Sequence, residues 1–193
     1  MTKLLISLFL FSSSYVLLGQ ELKYTIYWGD RNVGNITASK IVTGDLTTYK
    51  IIADANIKVL LNYHIEYYTK CIYTDKSITD SYANYELNNK IKEETTLKYK
   101  DGSYSCEDCK NFDSNIKSIG FSISKLYFHE PVKPGKVFSE RFGEYVMLYK
   151  ESDHVYRMNL PNGHDNFYYY KEGKLHKVSI DRALYSMDFI LNE

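Results

Sequence analysis

Two thiols three positions apart, Cys106 and Cys109 in YSCEDCKNF, are the side chains here best suited to redox chemistry or metal binding. A dithiol acts as an oxidoreductase when a helix N-terminus or a nearby cation depresses one thiol pKa. The residues between these thiols are Glu107 and Asp108, and their negative charges oppose thiolate formation. The pair also follows an Asp-Gly turn in a strand-rich region, without the strand-then-helix setting of a thioredoxin-like site. A structural zinc site would need a second Cys or His pair. Cys71 is the one remaining cysteine, on the apolar face of its strand, and His64 reads on the opposite face. The thiols therefore read as a structural disulfide in an exported loop, with no metal and no cofactor. Either Cys106 pairs with Cys109 as a tight local ring, or one of them pairs with Cys71.

The histidines His64, His129, His154, His164 and His176 are the other candidates. His129, Glu130, Glu140 and Arg141, in FHEP and FSERFG, lie in and beside one Pro-Gly loop. A hydrolase-like general base with an orienting carboxylate could be drawn from them. A plain salt bridge at the loop explains the same residues without catalysis, and is the simpler reading. His164, Asp165 and Asn166 follow the turn formers Pro161, Asn162 and Gly163, which is hairpin chemistry first. No G-x-S-x-G, H-E-x-x-H or phosphate-loop pattern occurs. The balance favours a non-enzymatic protein.

The elements that must position these residues are strands. Twenty tyrosines, with many Ile, Val and Thr, favour pleated structure. Leu22, Tyr24, Ile26 and Trp28 alternate with polar residues, as do Tyr49, Ile51, Ala53 and Ala55. In YHIEYYTKCIY, Tyr63, Ile65, Tyr67, Cys71 and Tyr73 share one face, with His64, Glu66 and Lys70 on the other. Tight turns such as Asp101-Gly102 and Glu172-Gly173 imply antiparallel hairpins. Lys174 to Asn192 is too long for one regular strand, and its inward set changes parity, which predicts a bulge or bend near Arg182. GFSISKLYFHEP predicts a short helix near residues 121–129, capped by Ser122 or Ser124 and ended by Pro131. The fold class is mainly β: a single antiparallel, strongly curved meander sheet or barrel-like fold around that helix.

The first residues, MTKLLISLFLFSSSYVLLGQ, have the basic start, short apolar middle and small residue near the cut of a secretory signal peptide. Residues 1–20 are thus expected to be removed, leaving a single domain over 21–193. The apolar run is too short and serine-broken for a good membrane span, so no stable anchor is expected after cleavage. The expected location is the periplasm or the outside of the cell. Loss of Lys3 turns 24 bases against 24 acids into 23 against 24, a net charge of −1 with no basic stripe, which argues against nucleic acid.

YTIYWGDRNVGNITAS, LYFHEP, GKVFSERFGEY, VYRMNLPNGHDNFYYYKEGKLHKV and MDFILN together resemble an uncharacterised domain-of-unknown-function family of exported β-rich proteins from Bacteroidota-type bacteria. The resemblance implies a soluble, exported single domain and supplies no catalytic residues. The expected function is a cell-envelope β-domain binding a small apolar ligand or a protein partner on its curved sheet.

Overall fold

The computed structural model describes residues 17–58, 62–182 and 185–192. A first run of hairpins comprises β1 Leu17–Trp28, β2 Arg31–Thr43, β3 Leu46–Lys58, β4 Asn62–Thr74, β5 Ser77–Leu87, β6 Ile91–Lys100 and β7 Ser103–Glu107. Helix α1, Ile123–Leu126, separates it from β8 Gly135–Ser139, β9 Glu144–Ser152, β10 Val155–Asn159, β11 Asp165–Lys171, β12 Lys174–Arg182 and β13 Tyr185–Leu191. The thirteen strands form one sheet in the order β7-β6-β5-β4-β3-β2-β1-β13-β12-β11-β10-β9-β8. Every neighbouring pair is adjacent in sequence except β1 and β13, which set Tyr24 opposite Leu191.

Turn chemistry sets this meander. Asp101 and Gly102 have φ of 52° and 83°, and Glu172 and Gly173 have 51° and 75°, the paired positive values of tight hairpin turns. Alternation then decides which face goes inside: Tyr24 and Ile26, Tyr49 and Ile51, and Cys71 and Tyr73 are all buried.

The sheet curls without closing. Ile51 and Ala55 of β3 belong to the same buried cluster as Met158 of β10 and Tyr168 of β11. Eleven strand steps separate β6 from β8, about 53 Å on a flat sheet, so the hydrogen bond from Thr95 of β6 to the carbonyl of Glu140, just after β8, requires strong curvature. The edge strands β7 and β8 are not paired with each other. Bonds to the segments flanking β8 bridge the gap: Ile119 N–H donates to the Tyr104 hydroxyl of β7, Ile78 N–H of β5 donates to the Ile119 carbonyl, and Thr95 of β6 donates to the Glu140 carbonyl. Phe138 N–H of β8 donates to Phe121 beside α1.

One expected element is present and another is corrected. The short helix expected near residues 121–129 is α1, Ile123–Leu126, four residues long and ending before Pro131 can act. Ser122 occupies its N-cap in extended geometry but makes no side-chain cap; its hydroxyl instead accepts a hydrogen bond from Tyr73. The stretch from Lys174 is two strands, not one bent strand. β12 and β13 pair from Arg182 opposite Tyr185 outward, with Val178 opposite Phe189 and Ile180 opposite Met187. A reversal between them, not a bulge, shifts the parity. The side chain of Tyr185 and residues 1–16 of the expected leader lie outside the described residues. β1 begins at Leu17, and Leu17–Gln20 pair with Thr43–Lys40, so a cut after Gly19 or Gln20 would trim the end of this ladder. Among the described residues no helix is long and apolar enough to cross a membrane.

Candidate functional site

The concave face holds a cavity of about 350 Å³. Its floor is the contiguous set β4-β3-β2-β1-β13-β12, which supplies aliphatic and aromatic side chains such as Ile26, Ile51, Ile65, Ile180 and Phe189. Ile123 and Tyr127, at α1, close one side. The polar lining comes mostly from two chain segments on the opposite side: Ser139 and Arg141, at and after the end of β8, and Asn162, His164 and Asn166, at and after the turn following β10. Tyr67, Tyr85 and Tyr168 also present rings to the cavity.

His129, Glu130, Glu140 and Arg141 do not share partners. His129 Nε2 lies 3.4 Å from Lys40 Nζ and 3.3 Å from Tyr49 Oη. Burial, then the Lys40 and Lys125 charges, push its pKa below the ordinary histidine value, so the ring is neutral and accepts from the lysine. Glu130 accepts from Tyr156 Oη at 3.0 Å and pairs with the exposed His154. The Glu130 carboxylate is thereby taken up away from His129, and the two do not form a base with its orienting acid.

Glu140 is not the surface salt-bridge residue that its place in a charged loop suggests. It is 1 % exposed, with Oε1 accepting from the Ser124 backbone N–H at the start of α1. Glu140 Oε2 and Ser124 Oγ are buried without a hydrogen-bond partner among the described residues. Burial pushes the carboxyl above its ordinary range, against the opposing pull of the nearby Ser124 and Ser122 hydroxyls. Arg141 turns the other way: its Nε bonds Glu93 of β6, and its guanidinium stacks 4.1 Å from the Tyr85 ring centroid and 5.2 Å from that of Phe142.

Cys106 and Cys109 lie together as a bonded pair, and Cys71 is free and buried. Burial raises the Cys71 thiol well above its ordinary pKa, leaving an uncharged core residue. The disulfide packs on Gly143, in the β8–β9 turn that carries Arg141. A Cβ there would collide with Cys109 Sγ and lie 3.1 Å from Cys106 Sγ. The ring is small, so a Cys106→Ser/Cys109→Ser variant is expected to lose about 2 kcal/mol at most by loop entropy. Paired urea melts check this, and a much larger loss would show that docking on Gly143 carries more stability than the cross-link.

One constellation escaped the sequence reading. Asp54, His64 and Glu66 bring one ligand atom each within 4.8 Å of one another on the outer face. His64 is already engaged, with Asp54 Oδ2 at 3.1 Å and Asn89 Oδ1 at 3.3 Å, and these bonds raise its pKa above the ordinary value. The same-face spacing of His64 and Glu66 was visible; the third member needed the β3–β4 register, Asp54 opposite Glu66.

A family model described as Domain of unknown function (DUF6134) matches residues 24–192, and the chain belongs to that family. No curated protein matches the sequence. Among solved structures, the chain is similar to the crystal structure of a beta-barrel-like protein of domain of unknown function DUF1849 from Brucella abortus. The match has 12 % identity and a TM-score of 0.50, and covers 93 % of this chain and 98 % of the other. At that identity the likeness shows the fold alone.

Proposed function

We propose that this member of the DUF6134 family is an exported cell-envelope β-domain that binds a small apolar molecule in its concave cavity. The cavity itself supports the reading: about 350 Å³ is within the range of small-molecule sites, and a mostly apolar wall with a few grouped polar side chains is their usual make-up. Two features support export. The leader-like first twenty residues are one, and the other is the Cys106–Cys109 disulfide, a form that persists in oxidising compartments. The separate surroundings of His129, Glu130, Glu140 and Arg141 give a hydrolase no assembled base, orienting acid and nucleophile.

Native and denaturing mass measurements on protein purified from its own envelope fraction test this. A native mass exceeding the denatured mass by a discrete small-molecule increment is the expected result. Ala53→Trp, which places an indole in the cavity, should abolish that increment while the circular dichroism of the sheet is kept. Equal masses in both states would count against a carrier and turn attention to a protein partner.

A further inference from the structure

We infer that the ligand of this cavity is a single-chain amphiphile ending in an anionic group, and that Arg141 holds that group; the inference rests on the cavity being a binding site. Among the described residues, Arg141 is the sole formally charged side chain in the lining. Its counter-ion Glu93 does not line the cavity. Glu93 faces an adjoining cleft lined by Glu94, Asp108 and Glu144 together with Lys92 and Lys110, and Arg141, Phe142 and Asn162 form the partition between the two spaces. The cavity therefore meets a cation whose neutralising partner is on the far side of the wall. Arg141 is paired with Glu93 through Nε, and in an apolar enclosure its remaining N–H donors attract an anion more strongly than they would in water.

The geometry leaves Arg141 equipped for a second anion. The bond to Glu93 uses Nε, and the guanidinium plane is fixed by the Tyr85 and Phe142 rings, so its orientation is set before a ligand arrives. The terminal nitrogens carry four further N–H donors in the fork that suits a carboxylate or phosphate. Asn162 and His164, on the same side of the cavity, add further hydrogen-bonding groups. Among the described residues the floor, from β4 through β12, contributes no charged side chain, which suits an alkyl chain.

The test is displacement of the uncharged fluorophore N-phenyl-naphthylamine from the intact protein, at about pH 8 where a fatty carboxyl is ionised. The competitors are dodecanoate, dodecyl phosphate, dodecanol and dodecyltrimethylammonium. Dodecanoate or dodecyl phosphate should compete at least about tenfold better than dodecanol, the cationic amphiphile worst of all, and the better anion identifies the head. Arg141→Gln should collapse the preference for anion over alcohol. Glu93→Gln should enlarge it, because the counter-ion is removed while the cation stays. Damage to packing alone would lower both variants together, so these opposite directions separate a binding role from a structural one. Equal competition by anion and alcohol, or a Glu93→Gln variant with no gain for the anion, would overturn the inference and leave the apolar-cavity reading standing. Failure of the fluorophore and of every amphiphile to bind would overturn both.

Discussion

Gly34→Ala is expected to lose about 3 kcal/mol or more of stability, seen as a large fall in the urea midpoint. Gly34 lies in β2 where the ladder to β1 slips, Ile26 opposite Gly34 and then Tyr27 opposite Asn32, which leaves Val33 as the extra residue of a bulge. On its other side β3 presses in: an added Cβ would collide with the Asp54 carbonyl oxygen and lie 2.7 Å from Ala55 Cα. These are backbone atoms of a central strand, held by ladder bonds on both sides, so no side-chain rotation relieves the contact. Gly120→Ala, whose Cβ would meet only the Lys76 carbonyl oxygen at 3.7 Å, is the control and should stay within about 0.5 kcal/mol of the parent. Equal effects at the two positions would refute the close-approach argument.

Glu140→Gln should make the protein more stable at neutral and alkaline pH, by about 1–3 kcal/mol, the cost of burying an unsatisfied polar group. The folded-state pKa is raised above the ordinary value of 4.5, so the native state holds this proton more tightly than the unfolded chain. Below about pH 4 both states are protonated and the carboxyl is neutral in each. As pH rises from 4.5 through the folded value, the parent loses stability that the glutamine variant keeps, and above the folded value the difference is constant. The amide oxygen can still accept from the Ser124 N–H, and the amide nitrogen can donate to the unpartnered Ser124 Oγ. Glu140→Ala should destabilise at every pH, because it strands that N–H and opens a void. Denaturant melts from pH 4 to 9 read the slope, and parallel curves for parent and Glu140→Gln would show that the buried carboxyl does not titrate differently on folding.

The two cases also show where sequence reasoning works and where it stops. The inward faces of β1, β3 and β4 were legible because burial against one core forces period-two alternation on every strand. Turns such as Asp101-Gly102 were legible because their backbone angles admit few residues. Glu140 was misjudged for the complementary reason: a glutamate between Ser139 and Arg141 has the local signature of a solvated loop. Its burial comes from a helix start sixteen residues earlier. Gly34 has no local signature of its role, since its need for a bare Cα arises from a strand twenty residues away. The cavity has no linear signature at all. Ile65, Arg141 and Phe189 line it together because of the curl, and composition and spacing carry no record of that contact.

The join between β1 and β13 sets the order in which such a sheet can assemble. The strands from β1 to β7, and those from β8 to β13, each grow by hairpins between sequence neighbours, which close short loops and form quickly. One junction, Tyr24 to Tyr27 against Leu191 to Asp188, welds the two meanders. That junction spans most of the chain and cannot form until the final strand has been made or delivered. Until then β1 exposes an unpaired rim of backbone donors and acceptors in the middle of what will become the sheet, the kind of edge that other chains can pair with. A protein built this way is most exposed to aggregation during the interval between its first strand and its last.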